Sequence, residues 1–255
     1  MSPAAPAGTA LVTNATGFAG PPAVTALLEA GFRVLAHDPA FGDSADWERF
    51  RDGRDDLLPI AEAEPEAVVA RAFEHAGALH TIVSNDHFPA PAQDPDTAPA
   101  AALRDNHEAL VVFPFRLIQA ALPRLRRQEA ANIVMITSNR TRLPLSGGAF
   151  PDAARAGVNA LVRSLAIDCA RDGITVNAIA PNYLYSEAYY PRAFFKDTEE
   201  GRAYVRRTVP IGRLAEPEEI GEVIAFLATA KTRFLTGAVI DFSGGWPFGE
   251  ARPPG

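Results

Sequence analysis

The stretch Thr13-Asn14-Ala15-Thr16-Gly17-Phe18-Ala19-Gly20 decides the fold. It follows an apolar run, Ala10-Leu11-Val12, and leads into a helix-like segment, Pro21-Pro22-Ala23-Val24. Between a strand and a helix, nucleotide-binding α/β domains carry a glycine-rich turn, whose missing side chains let a pyrophosphate approach the backbone at the helix N-terminus. A turn of the form T-G-x-x-x-G-x-G would place glycine at positions 14, 18 and 20, and only Gly20 remains here. With the Phe18 ring where a phosphate should lie, we expect a domain of this type that has lost its dinucleotide.

The composition predicts one globular domain that binds neither nucleic acid nor an anionic membrane. The chain has 255 residues, of which 47% are apolar and 22% charged, as in soluble domains with a sizeable core. Its net charge of −7 opposes binding to phosphate-rich surfaces. Cys169 is the single cysteine, so it can form no disulfide within the chain and no cysteine-based metal site. Since the N-terminus lacks a basic and then apolar leader and the histidines lack ligand spacing, we expect a cytoplasmic protein without a bound metal.

Apolar strand-like runs alternate with helix-length segments along the chain. The candidate strands are 9–13, 33–37, 57–60, 80–84, 132–137, 174–179 and 237–242. The candidate helices are 20–30, 44–53, 64–76, 98–126, 152–171 and 215–229. Because continuously apolar strands are typical of parallel sheets covered on both faces, we predict a single α/β domain over residues 1–255. It is a doubly wound parallel sheet of about seven strands with helices on both faces, and the segment 185–208 is an irregular insertion that forms a substrate loop.

Further motifs stand at the ends of the predicted strands and in the helices between them. They are Asp38, Ser84-Asn85-Asp86, Ile136-Thr137-Ser138, Arg155-Ala156-Gly157, Asn177-Ala178-Ile179-Ala180-Pro181-Asn182, Thr236-Gly237 and Ser243-Gly244-Gly245-Trp246. Together with the first turn, they resemble the short-chain dehydrogenase/reductase superfamily over nearly the whole length of the chain. The resemblance implies a Rossmann-like fold.

Within that superfamily, the chain is more similar to the halohydrin dehalogenases than to the reductases. Its first turn reads T-x-x-x-x-F-x-G, and Arg155 stands where reductases carry lysine. Ser84-Asn85-Asp86 replaces the reductases' Asn-Asn-Ala-Gly, and Pro181-Asn182-Tyr183-Leu184 replaces their Pro-Gly and the threonine that contacts nicotinamide. All four differences fall on the same cofactor pocket.

The resemblance implies a lyase that needs no cofactor. Such an enzyme converts a vicinal haloalcohol to an epoxide and halide, and it opens epoxides with small anions. In that chemistry Ser138 orients the substrate oxygen, and Arg155 favours an ionised phenol nearby because its charge is permanent. The implied halide and substrate pocket consists of Phe18, Asn85, Pro181, Asn182, Tyr183 and Leu184. The implied partners are a small haloalcohol or epoxide, a small anion, and further copies of the chain, paired through the helices 98–126 and 152–171 in a homotetramer.

One position departs from the family's pattern, S-x12-Y-x3-R. Counted forward from Ser138 and back from Arg155, the tyrosine slot falls on Pro151. Proline fits the first turn of a helix but has no hydroxyl, so the expected phenolate base is missing. Three interpretations stay open: a weak or inactive member, a rearranged loop 139–150, or a substitute base. The candidates for that base are Asp152, Tyr183, Tyr185 and Asp86.

Each proposed site residue also has a purely structural interpretation. Phe18 could serve only as a core aromatic, and Ser138 could serve only as a cap. Arg155 could form an ion pair with Asp152 or Glu187. Asn85 could stabilise the backbone beside the pocket without touching a ligand.

Two other functions remain open beside the lyase. One is an NAD(P)-dependent oxidoreductase with divergent motifs, in which Asp38 would mark the adenosine-ribose position; the altered first turn favours a structural role for Asp38 instead. The other is a binder of small molecules without catalysis, which the loss of the tyrosine at Pro151 favours.

Overall fold

Seven strands and nine helices account for the architecture of residues 7–89 and 91–248, which are the residues that this computed structural model describes. The strands are β1 (Gly8–Val12), β2 (Phe32–His37), β3 (Leu57–Ile60), β4 (Thr81–Ser84), β5 (Ala131–Ile136), β6 (Ile174–Pro181) and β7 (Val239–Phe242). The helices are α1 (Gly20–Glu29), α2 (Ser44–Arg51), α3 (Pro65–Ala76), α4 (Ala100–His107), α5 (Phe113–Leu125), α6 (Ala149–Cys169), α7 (Arg192–Phe195), α8 (Glu199–Thr208) and α9 (Pro217–Thr229). None of these helices is long and apolar enough to cross a membrane.

The strands form one sheet in the order β3-β2-β1-β4-β5-β6-β7, and each neighbouring pair is parallel. Successive residues of a parallel strand face opposite sides of the sheet. Leu11 accordingly joins a core with α3, α5 and α6, while Val12 joins a second core with α1, α2 and α9. The predicted seven-stranded sheet with helices on both faces is confirmed.

The order of the strands reverses between β1 and β4, which are neighbours in space but distant along the chain. In such sheets the loops that leave the carboxyl ends of these strands diverge and open a crevice. Val12, Ser84, Ile136 and Pro181 end β1, β4, β5 and β6 at this edge. The polar motifs that follow them in the sequence therefore meet in one place.

The predicted helix over 98–126 is interrupted. Between α4 and α5 the segment Glu108–Val112 is π-helical, and the Phe113 N–H bonds to the carbonyl of Glu108, five residues back. Pro114 has no N–H for the α-helical bond to the Leu110 carbonyl, which is a local reason for the wider turn. The π-helical segment places buried Leu110 against the candidate site, where such irregular turns are frequent.

The segment 185–208 is not irregular throughout, which corrects the prediction. It contains α7 and α8, and α8 begins at a cap in which the Thr198 hydroxyl accepts the Gly201 N–H at 3.0 Å. Acidic residues occupy the first turn of α8 and basic residues its last turn, as the helix dipole favours. Gly201 lets α8 approach α7 closely, because a Cβ there would lie 2.1 Å from the Phe194 carbonyl oxygen.

Candidate active site

A cavity of about 410 Å³ opens at the carboxyl edge of the sheet. It brings together residues from the first turn, the end of β5, the start of α6, the end of β6 and the insertion. Its wall includes the predicted residues Phe18, Ser138, Arg155, Pro181, Asn182, Tyr183 and Leu184, together with Pro151. Further aromatic side chains complete it: Phe88, Tyr189, Tyr190, Phe194, Phe195, Tyr204 and Trp246. The cavity is therefore lined mostly by apolar and aromatic side chains, with a smaller number of polar and charged ones that include Arg140, Glu200 and Arg207.

The first turn keeps the backbone of a glycine-rich turn without its glycines. Asn14 and Phe18, which occupy two of the three glycine positions, have φ angles of 46° and 48°. These angles lie in the left-handed region that glycine occupies without strain. The Asn14 amide donates to Asp86 Oδ1 at 3.2 Å, and the Phe18 ring packs edge-on against the Tyr189 ring, with their centroids 5.2 Å apart.

Asn85, which the resemblance places in the halide and substrate pocket, is not among the residues that line this cavity. It is fully buried behind the first turn. Its side-chain amide donates to the carbonyls of Asn14 and Gly17, each at 2.9 Å, and its backbone N–H donates to the Thr13 hydroxyl at 2.9 Å. Asn85 thus ties the end of β4 to the turn and gives the turn its shape.

Ser138 lies at the end of β5, with its hydroxyl at the cavity. The hydroxyl donates to the Pro181 carbonyl at 3.2 Å and accepts the Arg140 N–H at 3.2 Å. The Asn159 amide holds the Ser138 carbonyl at 2.9 Å. A hydroxyl has one proton, so donating to a substrate oxygen would replace the bond to the Pro181 carbonyl, while the bond accepted from the Arg140 N–H would still hold the oxygen in place.

Arg155 is buried, with 6% of its surface exposed, and it makes no side-chain ion pair within the described residues. Its Nη1 donates to the carbonyls of Asp86 at 3.1 Å and Ile136 at 3.4 Å. Burial lowers the pKa of Arg155, while the Tyr189 hydroxyl and the Asp86 carboxylate oppose that shift. The alternative that Arg155 pairs with Asp152 is wrong, because Asp152 instead pairs with Arg140.

The loop after β6 offers fewer backbone donors than its sequence suggests. Pro181 has no N–H, the Asn182 N–H donates to the Phe242 carbonyl at 3.0 Å, and the Tyr183 N–H donates to Asn182 Oδ1 at 3.0 Å. The Leu184 N–H has no acceptor among the described residues. Among the backbone N–H groups of Asn182, Tyr183 and Leu184, only that of Leu184 therefore has no acceptor within the described residues. It follows Tyr183, whose φ of 56° lies in the left-handed region.

Comparison with known proteins places this geometry in a family. A family model described as enoyl-(acyl carrier protein) reductase matches residues 24–247. The chain belongs to the short-chain dehydrogenase/reductase superfamily.

Relatives of two kinds are found within this superfamily. A solved structure of a halohydrin dehalogenase, bound to ethyl (2S)-oxiran-2-ylacetate, is 34% identical and superposes with a TM-score of 0.91 over 96% of this chain and 100% of that one. Cis-4-hydroxycyclohexanecarboxylate dehydrogenase of Sinomonas cyclohexanicum is 31% identical over 93% of this chain and 95% of its own. Tropinone reductase homolog At2g30670 of Arabidopsis thaliana is 34% identical over 51% of this chain and 49% of its own, so the chain spans about half of that relative's length.

Side chains stand at the first turn, where the sequence pattern of the reductases places glycines that let a dinucleotide approach. The Phe18 ring occupies the wall, and His87 lies against the turn, with its Nε2 2.2 Å from where a Cβ of Gly17 would stand. The Asp38 carboxylate, a ribose marker in NAD-binding relatives, accepts the Ala40 N–H at 3.0 Å and the Thr16 hydroxyl. Asp38 therefore has a structural role here.

Three of the four candidate substitute bases, Asp152, Tyr185 and Asp86, are paired with other groups or buried away from the cavity. Asp152 is paired with Arg140, and the Tyr185 hydroxyl is bonded to Glu187 outside the cavity. Asp86 is buried behind the wall, and burial raises the pKa of its carboxyl to about 6 against a hydrogen bond from Ser84 and the charge of Arg155.

Two cavity tyrosines resist ionisation. Burial raises the pKa of Tyr183, and a hydrogen bond with Tyr204 raises it further. Burial likewise raises the pKa of Tyr190 to about 12, and its hydroxyl donates to Asn182 Oδ1 at 2.6 Å. Neither phenol is suited to act as a base near neutral pH.

Tyr189 belongs to the predicted substrate loop 185–208, and the structure places it in the wall of the cavity together with Arg155. No spacing rule could have found it, because the insertion folds back over the sheet edge. Among the described residues no cluster of three or more histidine, cysteine or acidic side chains could hold a metal ion.

Proposed function

We propose that the protein is a lyase of the halohydrin dehalogenase type. It interconverts a vicinal haloalcohol with an epoxide and halide, and it opens epoxides with other small anions, without a cofactor. The observation that carries this proposal is the Phe18 ring, which shares one cavity with Ser138, Arg155 and the loop after β6. The likeness to the epoxide-bound halohydrin dehalogenase structure supports it.

The cavity suits this chemistry because the reaction needs orientation and charge stabilisation, with no hydride transfer. The Ser138 hydroxyl would donate to the substrate oxygen, which holds that oxygen in line with the neighbouring carbon–halogen bond. The Leu184 N–H and the aromatic wall would receive the departing halide, which is large and weakly hydrated. Positioning of this kind favours ring closure over attack by water.

The first experiment measures halide release from 1,3-dibromo-2-propanol in nucleotide-free buffer. We expect release by the unaltered protein, and we expect Ser138→Ala and Arg155→Met each to remove most of it. Ser44→Ala and Arg49→Met are matched controls, since both side chains are exposed on α2 and neither lines the cavity, and they should keep the rate. Full rates in Ser138→Ala and Arg155→Met would reject this site.

An NAD(P)-dependent oxidoreductase is the second candidate function, because curated relatives include dehydrogenases and reductases. Fluorescence titration with NADH and NADPH separates the two. Micromolar binding of either nucleotide, with no halide release, would favour the oxidoreductase. Absence of both activities, with a small molecule still bound in the cavity, would favour the third possibility, a binder that Pro151 has left without catalysis.

A homotetramer is part of the proposal. Phe115 on α5 is partly exposed, and Ile167 on α6 is largely exposed, so the predicted pairing helices carry apolar side chains that a partner could cover. Light scattering coupled to size exclusion tests the expected mass of four chains. We also propose a cytoplasmic location, because a chain with a single cysteine is typical of a reducing compartment.

A further inference from the structure

Pro151 leaves open which group moves the proton of the substrate. Pro151 and Arg155 lie one turn apart on α6, and both line the cavity. Arg155 Nη1 donates to two backbone carbonyls, and the guanidinium forms no ion pair with a carboxylate side chain among the described residues. A proton-transfer group beside its guanidinium must therefore come from another element.

Tyr189 reaches that place from the insertion. Its ring packs edge-on against Phe18 at 5.2 Å between centroids, and its hydroxyl donates to the Phe88 carbonyl at 2.9 Å. Its backbone N–H bonds to the Ser186 hydroxyl at 3.3 Å, within a turn. These three contacts fix the phenol on the cavity wall, which Arg155 also lines. The Tyr189 hydroxyl and Arg155 Nη1 donate to the carbonyls of Phe88 and Asp86, two residues apart in the segment after β4. The two side chains therefore reach the same short stretch of backbone, and the Tyr189 hydroxyl opposes the lowering of the Arg155 pKa by burial.

The other phenols of the cavity point elsewhere. The Tyr183 hydroxyl faces the Tyr204 hydroxyl at 3.5 Å, and the Tyr190 hydroxyl donates to Asn182. Tyr189 is thus the cavity phenol, within the described residues, that adjoins the buried cation.

We propose that Tyr189 is the catalytic phenol of this protein and supplies, from the insertion, the hydroxyl that the family pattern places at residue 151. This assignment rests on the proposed function. It also explains how Pro151 can stand in the helix while Arg155 is kept at the cavity.

The proton balance follows from the two directions of the reaction. In epoxide opening, an anion bonds to carbon, the carbon–oxygen bond breaks with its electrons on oxygen, and the Tyr189 hydroxyl gives that oxygen its proton. In dehalogenation, Tyr189 first loses its proton to solvent. Its phenolate then takes the hydroxyl proton of the haloalcohol, the new carbon–oxygen bond forms, and the halide leaves with the electron pair. Arg155 lies against the phenolate oxygen during this step.

Tyr189→Phe tests the assignment, because it removes one oxygen and keeps the ring against Phe18. Tyr185→Phe is the matched control: it removes the same atom from the same insertion, outside the cavity. Release of bromide from 1,3-dibromo-2-propanol and opening of epichlorohydrin by azide are measured for both. We expect Tyr189→Phe to lose about 10²- to 10⁴-fold in kcat, as for the loss of a general acid or base, and Tyr185→Phe to stay within about twofold.

The outcomes separate the two proposals. An active unaltered protein whose rate survives Tyr189→Phe overturns the assignment and leaves the lyase function standing. An unaltered protein that neither releases bromide nor consumes azide overturns both. If Tyr189→Phe does not fold, Tyr189→Gln replaces it, since its amide can still donate to the Phe88 carbonyl but cannot act as a base.

A rescue distinguishes proton transfer from packing. Adding Pro151→Tyr to Tyr189→Phe returns a phenol to the family's slot, one turn before Arg155, and we expect at least about tenfold recovery of kcat. Adding Pro151→Phe supplies the same ring without the hydroxyl and should recover nothing. Equal rates in the two double variants would count against Tyr189 as a proton donor.

Discussion

Asn14, Phe18 and Tyr183 concentrate backbone strain at the candidate site. Among the described residues, four that are not glycine have a positive φ, and the fourth is Asp52 at the end of α2. Left-handed backbone costs such residues about 1–2 kcal/mol each. It persists where neighbouring contacts hold it, here the bond from Asn14 to Asp86 and the packing of Tyr183 against Trp246 at 5.7 Å. The wall is therefore shaped by conformations that its sequence disfavours.

Replacing Phe18 separates this strain from packing. Phe18→Gly and Phe18→Ala lose the same ring, but only alanine keeps a Cβ at a φ of 48°. We expect the glycine variant to be more stable by about 1 kcal/mol, measured as the free energy of unfolding in urea. Glu222→Gly and Glu222→Ala form the control on α9, where the side chain is exposed and the backbone is helical, so alanine should be favoured there by a similar amount. Alanine favoured at both positions would contradict strain at Phe18.

The buried carboxyl of Asp86 gives a pH dependence of known sign. Its pKa is raised from 3.8 to about 6 in the folded protein, so between these values the folded state holds more protons than the unfolded state. The protonated Asp86 carboxyl therefore contributes to the free energy of unfolding. This contribution is fully present below about pH 4 and is lost as pH rises through about 6, in total roughly 3 kcal/mol. Asp86→Asn removes it, so the unfolding free energy of the variant should improve against the unaltered protein from pH 4 to pH 8. If the free energy of unfolding in urea changed equally with pH in both proteins over that range, Asp86 would not have the raised pKa.

At the level of elements, those marked by a local apolar pattern could be predicted from the sequence, and those held by caps or by packing against distant residues could not. The seven strands begin and end within a few residues of their predicted bounds, because each is an apolar run closed by a turn. Helix α8 was missed because only Gly201 and Val205 are buried on it, which leaves almost no apolar period to detect. Its signals were the Thr198 cap and the charges at its ends. The position of Tyr189 could not be predicted, since it depends on how the insertion packs.

The cap of α8 should control the order of this part of the wall, because α8 carries Tyr204 and has little buried apolar surface. We expect Thr198→Ala to weaken the helix by about 1 kcal/mol, seen as faster hydrogen exchange of the α8 amides with the central strands unchanged. Thr208→Ala is the control: its hydroxyl bonds only to the Tyr204 carbonyl within the helix at 2.8 Å. Equal exchange in the two variants would mean that tertiary contacts alone hold α8.

On the scale of the whole molecule, one architecture accommodates two kinds of site. The same sheet occurs in solved structures with NADP or NADH bound and in the halohydrin dehalogenase. In this chain, the side chains of Phe18 and His87 stand at the first turn, beside the switch point of the sheet. Because Asn14 and Phe18 adopt the left-handed backbone of the glycines that they replace, the fold alone does not reveal the function. The function depends on the side chains in the cavity wall.

The stability of the whole fold should report the anion that the wall selects. A ligand that binds only the folded state stabilises it by RT ln(1 + [L]/Kd), about 1.4 kcal/mol at ten times Kd. For a chain of this size that corresponds to a rise in Tm of roughly 3–5 °C. We expect sodium bromide to raise Tm above sodium fluoride at equal ionic strength, because the apolar wall favours the more weakly hydrated anion. Phe18→Ala opens that wall and should remove most of the difference. If both salts give the same Tm in the unaltered protein, the cavity does not discriminate between halides, and the proposed exit site for the leaving group is wrong.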